Sequence, residues 1–183
     1  MADFKQALSK ALSFEFSGAK DALHKNSNET GYTFCGIYET ANPDWEGWKI
    51  IKPIIKQKKT LTEASVYCYG YKELLELVDK LYMERYWTPY RLGELTQQAA
   101  NEIFVFGVNA GMSTAIKRAQ KVAGVEDDGK IGPNTIKAIN TIPEKDFDWK
   151  FDNEEIKYYT SLTEKKATLK QYLKGWTNRA KAV

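Results

Sequence analysis

Apolar residues recur at helical spacing along most of this 183-residue chain, and no other feature constrains its fold as strongly. The first such segment is flanked by Asp3 and by Gln6 three residues later, the spacing of a capping box. Its apolar face comprises Phe4, Ala7, Leu8, Ala11, Leu12 and Phe14. Three further helices are predicted: one capped at Thr62 and running toward Trp87, one over 113–123 ended by Gly124, and one over 153–174 ended by Gly175. These patterns predict an all-α, or mainly α, fold in a single compact unit of two subregions.

Between the helices, several segments are punctuated by turn residues. Residues 17–34 are polar and form a long loop by composition, a type that is often functional in compact domains. Pro53 is expected to interrupt the stretch that follows. Residues 96–108 fit either a strand or a buried helix, because periodicity does not separate the two. Residues 128–135 form the sharpest local pattern, in which Asp-Gly predicts a turn and Pro133 suits the first position of a helix.

Composition excludes several classes of protein. The single histidine, His24, rules out a two-histidine metalloprotease site, and two cysteines allow at most one disulfide. The net charge of +3 is too small to suggest a nucleic-acid partner. No apolar stretch approaches the roughly 18 residues of a membrane span, and the N-terminus lacks the layout of a secretory signal. We therefore expect a protein made in the cytoplasm, without membrane insertion and with reduced cysteines.

Carboxylate chemistry is compatible with this composition. Glu15 lies between Phe14 and Phe16 at the end of the first apolar run. A carboxyl group in apolar surroundings keeps its proton to higher pH, as a general acid requires, and a raised pKa at Glu15 is our hypothesis. An exposed glutamate at a helix end is the structural alternative. Another reading pairs His24 with Cys35 or Cys68 as a cysteine peptidase.

Several motifs, in this order, resemble glycoside hydrolase family 108, a family of N-acetylmuramidases known largely from bacterial and phage sequences. The family's Glu-Gly-Gly-Tyr motif corresponds to residues 15–18, and its Thr-x-x-Gly-Ile motif to residues 33–37. Its Tyr-Trp, Asn-x-Gly and closing Gly-Trp-x-x-Arg motifs correspond to residues 86–87, 109–111 and 175–179. Its Gln followed by Asp-Gly-x-Ile-Gly-Pro-x-Thr corresponds to Gln120 and residues 128–135.

The resemblance implies a lysozyme-like fold with a muramidase-like catalytic region over 1–95. A predicted peptidoglycan-binding helical region over 96–183 would pack on it. The implied reaction is hydrolysis of the bond between N-acetylmuramic acid and N-acetylglucosamine, with Glu15 as general acid and without a metal or organic cofactor. For the second carboxylate, Asp21 and Glu29 both remain open, and Glu29 is preferred because it lies nearer Thr33. Thr33 would orient water or substrate, and Tyr32 and Asn109 would bind substrate.

The biological setting follows from the same resemblance. Peptidoglycan glycan strands would be the partner, and a monomer is expected. A phage or prophage endolysin, released to the cell wall or periplasm through a holin or another route, fits these expectations. The competing hypothesis is a non-catalytic wall-binding or secretion-associated protein. It draws on Phe16, Ser17 and Gly18, which replace the family's Gly-Gly-Tyr.

Overall fold

The computed structural model describes residues 1–27 and 29–183, and most of them are helical. Every described helix is too short or too polar to cross a membrane. The mainly α prediction is confirmed, with one small sheet added. The helices are α1 (Phe4–Ser13), α2 (Gly47–Gln57), α3 (Leu61–Tyr69), α4 (Lys72–Tyr82), α5 (Gln97–Ala110), α6 (Met112–Ala123), α7 (Pro133–Asn140), α8 (Glu144–Lys165) and α9 (Lys170–Ala180). The strands are β1 (Leu23–His24), β2 (Thr33–Phe34) and β3 (Ile37–Tyr38).

The chain forms two compact units. One comprises Met1–Ala11 with Arg85–Val183, and the other comprises Leu12–Glu84. The predicted boundary at residue 95 between a catalytic and a wall-binding region stays a prediction.

The unit over 12–84 contains the antiparallel sheet, in the order β1-β2-β3. Leu23 pairs with Phe34, and Phe34 pairs in turn with Ile37. Cys35 and Gly36 form the turn between β2 and β3, with φ angles of 46° and 76°. Two consecutive positive φ angles suit a two-residue hairpin, because they match the twist of the flanking strands. The sequence prediction of a loop over 17–34 therefore missed β1 and β2, which are too short to show alternation.

The predicted interruption at Pro53 is wrong, because α2 continues through it. Pro53 lies on the exposed side of α2, while Trp48, Ile51 and Ile54 are buried on the other. Burial of that apolar face offsets the hydrogen bond that proline removes. The predicted cap at Thr62 is also wrong: the next helix begins after Thr60, whose side chain accepts a hydrogen bond from the Glu63 amide at 3.1 Å.

In the unit built from 1–11 and 85–183, α5 packs against α6 and α8. Residues 96–108 prove helical, and the segment from Ala99 to Gly107 is buried throughout, which explains its lack of periodicity. Asp3 caps α1 as predicted, because its Oδ1 accepts a hydrogen bond from the Gln6 amide at 2.8 Å. Gly124 ends α6 with a φ of 67°, also as predicted.

The Asp-Gly turn at 128–129 and the helix beginning at Pro133 are confirmed. The Gln120 side chain secures the turn, since its Nε2 donates to Asp128 Oδ1 at 2.7 Å and its Oε1 accepts from the Gly129 amide at 2.8 Å. The predicted helix over 153–174 is two helices, α8 and α9, and Gly175 lies inside α9 instead of ending it.

Candidate active site

Within the unit over 12–84, an open groove of about 490 Å³ is lined by Glu15, in the turn that follows α1, and by residues further along the chain. We call it the Glu15 groove. Its walls come from the end of the first helical segment, the loop that leads to β1, β1 itself and the beginning of α3. The lining residues are Glu15, Phe16, Ser17, Lys20, Asp21, Leu23, His24, Lys25, Leu61 and Thr62.

Ser65 fixes the loop that forms one wall of this groove. Its buried hydroxyl donates to the Ala19 carbonyl at 2.6 Å and accepts from the Leu23 amide at 2.8 Å. The Cys35 amide donates to the Ala22 carbonyl at 2.8 Å, which ties the same loop to the hairpin turn. The loop that carries Asp21 is thus held at both ends by hydrogen bonds to α3 and to the sheet.

Gly36 brings the hairpin turn close to Glu15. A Cβ atom at this position would lie 3.6 Å from Cγ of Glu15 and only 2.6 Å from the Tyr82 hydroxyl oxygen. That hydroxyl donates to the Cys35 carbonyl at 3.0 Å. Glycine is therefore required here both for its positive φ and for the close approach of Tyr82.

The groove combines charges of both signs. Glu15 and Asp21 contribute carboxylates, and Lys20 and Lys25 contribute ammonium groups. His24 turns its Nδ1 toward the Asp21 carbonyl oxygen, at 3.0 Å. Glu15 itself is exposed. Phe16 is half-buried and packs edge-on against Tyr69, with ring centroids 5.7 Å apart.

The other predicted catalytic residues lie away from the lining of this groove. Thr33 is buried in the sheet, where it pairs with His24 and Tyr38. One carboxylate oxygen of Glu29, Oε2, is buried without a hydrogen-bond partner among the described residues. Of the two candidate second carboxylates, Asp21 is the one that lines the Glu15 groove.

The predicted substrate-binding residues lie in different units. The Tyr32 amide donates to Glu39 Oε2 at 3.0 Å, and the Lys25 ammonium lies 5.4 Å from the centre of the Tyr32 ring. Asn109 is exposed near the end of α5, and its Nδ2 donates to the Val105 carbonyl at 3.3 Å. Their roles stay predictions.

Both cysteines are in surroundings that disfavour a nucleophilic thiolate. Burial raises the pKa of Cys35 to about 12 and the pKa of Cys68 to about 11. Because the thiolate is the reacting form, thiols with such pKa values stay protonated and inert at neutral pH. The structure therefore argues against the cysteine peptidase hypothesis.

A cluster of carboxylates lies in the other unit, where ligand atoms of Glu102, Asp148 and Asp152 fall within 4.8 Å of one another. Glu102 is fully buried, and its Oε1 accepts a hydrogen bond from Gln98 at 2.8 Å. Burial, followed by the nearby acidic groups, raises its pKa to about 10. Glu102 therefore keeps its proton at neutral pH.

The chain was compared with protein-family models, curated proteins and solved structures. Residues 21–111 match the family model described as Glycosyl hydrolase 108, and residues 114–181 match the one described as Predicted Peptidoglycan domain. No curated protein matches the chain. Among solved structures, it is similar to SagA from Brucella abortus, with a TM-score of 0.57 and 22% sequence identity. The likeness covers 97% of this chain and 92% of that one, and at this identity it concerns the fold.

The helical fold and the two matched segments together define a glycosidase that acts on peptidoglycan. The segment over 21–111 belongs to glycoside hydrolase family 108, and the segment over 114–181 matches the predicted peptidoglycan domain. The prediction of a mainly α, lysozyme-like fold is thereby confirmed. Peptidoglycan is the substrate, and the cell wall is the place of action.

Proposed function

We propose that this protein hydrolyses the glycosidic bond between N-acetylmuramic acid and N-acetylglucosamine, with Glu15 as the general acid. The observation that carries the proposal is the position of Glu15 on the lining of an open groove. Glu15 precedes the matched range of 21–111, so its assignment depends on this groove and on the motif resemblance. Glycosidic cleavage needs a proton donor because the leaving sugar oxygen is a poor leaving group.

The reaction needs a proton donor for the glycosidic oxygen and a second carboxylate near the anomeric carbon. Glu15 donates its proton to the glycosidic oxygen as the bond to the sugar's anomeric carbon breaks, and water finally adds to that carbon. Asp21 is the second carboxylate supported by the geometry, since it shares the groove, while Glu29 is the one preferred from the sequence.

The remaining assignments complete the proposal. Residues 1–95 would act as the catalytic region, in which Thr33 orients water or substrate and Tyr32 binds the glycan. Residues 96–183 would retain the protein on the wall, with Asn109 as a substrate contact. The setting would be that of a phage or prophage endolysin, monomeric and released through a holin or another export route.

The sugar that carries the new reducing end tests the bond assignment. Purified peptidoglycan sacculi are digested, reduced with borohydride and hydrolysed to their amino-sugar alcohols. Muramitol as the new product supports the proposal, because cleavage after N-acetylmuramic acid leaves that sugar at the reducing end. Glucosaminitol instead would assign the opposite bond and overturn it.

One observation favours a second candidate, a non-catalytic wall-binding protein. Glu15 is followed by Phe16, Ser17 and Gly18, where the family has Gly-Gly-Tyr, so the backbone after the glutamate differs. This candidate would be supported if the protein binds sacculi but the digest, after reduction and hydrolysis, contains neither muramitol nor glucosaminitol as a new product.

A further inference from the structure

A second groove, of about 440 Å³, lies in the segment that matches the peptidoglycan domain. We call it the Trp149 groove. It lies between the end of α6, which contributes Lys121, and one side of α8, which contributes Trp149, Lys150, Asn153 and Lys157. None of these residues belongs to the Glu15 groove or to any motif of the family resemblance.

Trp149 is exposed to an unusual degree for its size, with 66% of its surface accessible. The side of α8 that faces the protein interior consists of Phe147, Phe151 and Tyr159, all buried, so Trp149 contributes nothing to that core. A large exposed aromatic ring beside a groove is typical of a binding surface. Its flat apolar face can cover the C–H face of a sugar ring.

Asn153 lies one helical turn beyond Trp149. Its Nδ2 donates to the Trp149 carbonyl at 2.7 Å, which leaves its side-chain oxygen available to accept hydrogen bonds. An amide oxygen next to an aromatic ring suits a ligand with both apolar faces and N–H or O–H groups. N-acetylated sugars have both features.

The charges of the groove are mainly positive. Lys121, Lys150 and Lys157 contribute three ammonium groups, and Glu154 is the single acidic residue of the lining. Glu154 is already paired with Arg118 at 3.3 Å and with Lys157 at 2.8 Å. Lys150 has no acidic partner among the described residues. The groove can therefore accept carboxylates without displacing an existing pair of Lys150.

We propose that the Trp149 groove is the wall-binding site of this protein and that it takes a glycan strand together with the carboxylates of its stem peptides. Trp149 stacks on an N-acetylated sugar, and Lys150 pairs with a peptide carboxylate. This proposal rests on the proposed function for the identity of the polymer, and it assigns the groove a holding role separate from cleavage at Glu15.

Binding is measured by co-sedimentation with sacculi from a Gram-negative wall, which contain no teichoic acid. Trp149→Ala is expected to bind about tenfold more weakly, since exposed tryptophans at binding surfaces commonly dominate affinity. Tyr172→Ala is the matched control, because Tyr172 is also exposed in the same unit, at 52%, but lies outside the groove. Thermal unfolding of both variants verifies that they fold.

A charge-reversal pair tests the carboxylate contact. Lys150→Glu is expected to weaken binding. Lys137→Glu, which changes the net charge equally at an exposed position of α7, is expected to bind like the wild type. The loss caused by Lys150→Glu should shrink when the salt concentration rises, because salt screens exposed charges. Equal binding by the two variants would overturn the carboxylate contact.

Two outcomes separate this proposal from the proposed function. If Trp149→Ala binds sacculi as tightly as the wild type and cleaves normally, the binding role of the Trp149 groove is overturned while the proposed glycosidase reaction stands. If the wild type binds sacculi but cleaves nothing, and Trp149→Ala loses that binding, the result supports the binding role of the groove and overturns the proposed reaction. Equal retention by chitin, which lacks stem-peptide carboxylates, would reduce the site to a neutral sugar contact and contradict the proposal.

Discussion

At the hairpin turn beside Glu15, the backbone leaves no room for a side chain. Gly36 has a φ of 76°, and an added Cβ would lie 2.6 Å from the Tyr82 hydroxyl oxygen. Gly36→Ala should lower the free energy of unfolding by about 1–3 kcal/mol, from left-handed backbone strain and from displacement of Tyr82. It should also lower activity, because the added Cβ would lie 3.6 Å from Cγ of Glu15.

Chemical denaturation and peptidoglycan turbidity assays measure the two effects. Gly18→Ala is the control, because a Cβ at Gly18 would meet no atom within 4 Å and its φ lies outside the left-handed region. Stability equal to that of the control would contradict the steric account of Gly36.

Single residues were predictable where their neighbours in sequence define their role. Asp3, Gly124 and Pro133 follow local rules for helix ends, and each proved correct. Ser65 was not predictable, because its hydrogen-bond partners Ala19 and Leu23 are more than 40 residues away in the sequence. The place of Asp21 on the groove depends on that long-range contact.

At the scale of elements, Gly175 and Gly124 should respond in opposite directions to the same substitution. Gly175 lies inside α9 with open space around it, so Gly175→Ala should raise stability by about 0.5–1 kcal/mol. Gly124 also has open space, but its φ of 67° makes Gly124→Ala destabilising by about 1 kcal/mol. Thermal unfolding of the pair measures both effects, and a shift of the same sign in both variants would contradict the assigned helix ends.

Elements were predictable when one face is apolar and the other polar, as in α1 and α6. The buried helix α5 was ambiguous because nearly all of its central residues are buried, which removes the periodicity. The strands β1, β2 and β3 have two residues each, too few for any pattern. The predicted interruption at Pro53 was wrong because burial of the opposite face of α2 outweighs the low helix propensity of proline.

At the scale of the whole molecule, the carboxylate cluster predicts how stability depends on pH. The folded-state pKa of Glu102 is raised to about 10 from 4.5, by burial first and then by Asp148, Asp152 and Glu155. The folded protein therefore keeps a proton that the unfolded chain releases above its lower pKa. Stability should be greatest in acid near pH 5 and fall toward pH 8, by about 1.4 kcal/mol per pH unit for each such proton.

Glu102→Gln tests this dependence, because the amide resembles the protonated carboxyl and keeps the oxygen that accepts from Gln98. The variant should lose less stability than the wild type between pH 5 and pH 8 in thermal unfolding. Glu126→Gln, at an exposed glutamate of the same unit, is the control and should follow the wild type. Parallel curves for Glu102→Gln and the wild type would show that Glu102 is not the group that titrates.

The measurement that tests the account most directly is the release of reducing sugar ends from purified peptidoglycan by the wild type and by Glu15→Gln. Glutamine has nearly the same size as glutamate but cannot donate the proton, so activity should fall by at least about 100-fold. Folding and sedimentation with sacculi should be unchanged, because Glu15 is exposed and lies outside the Trp149 groove. Glu29→Gln and Asp21→Asn, measured beside it, identify the second carboxylate. Activity in Glu15→Gln equal to that of the wild type would contradict the central claim.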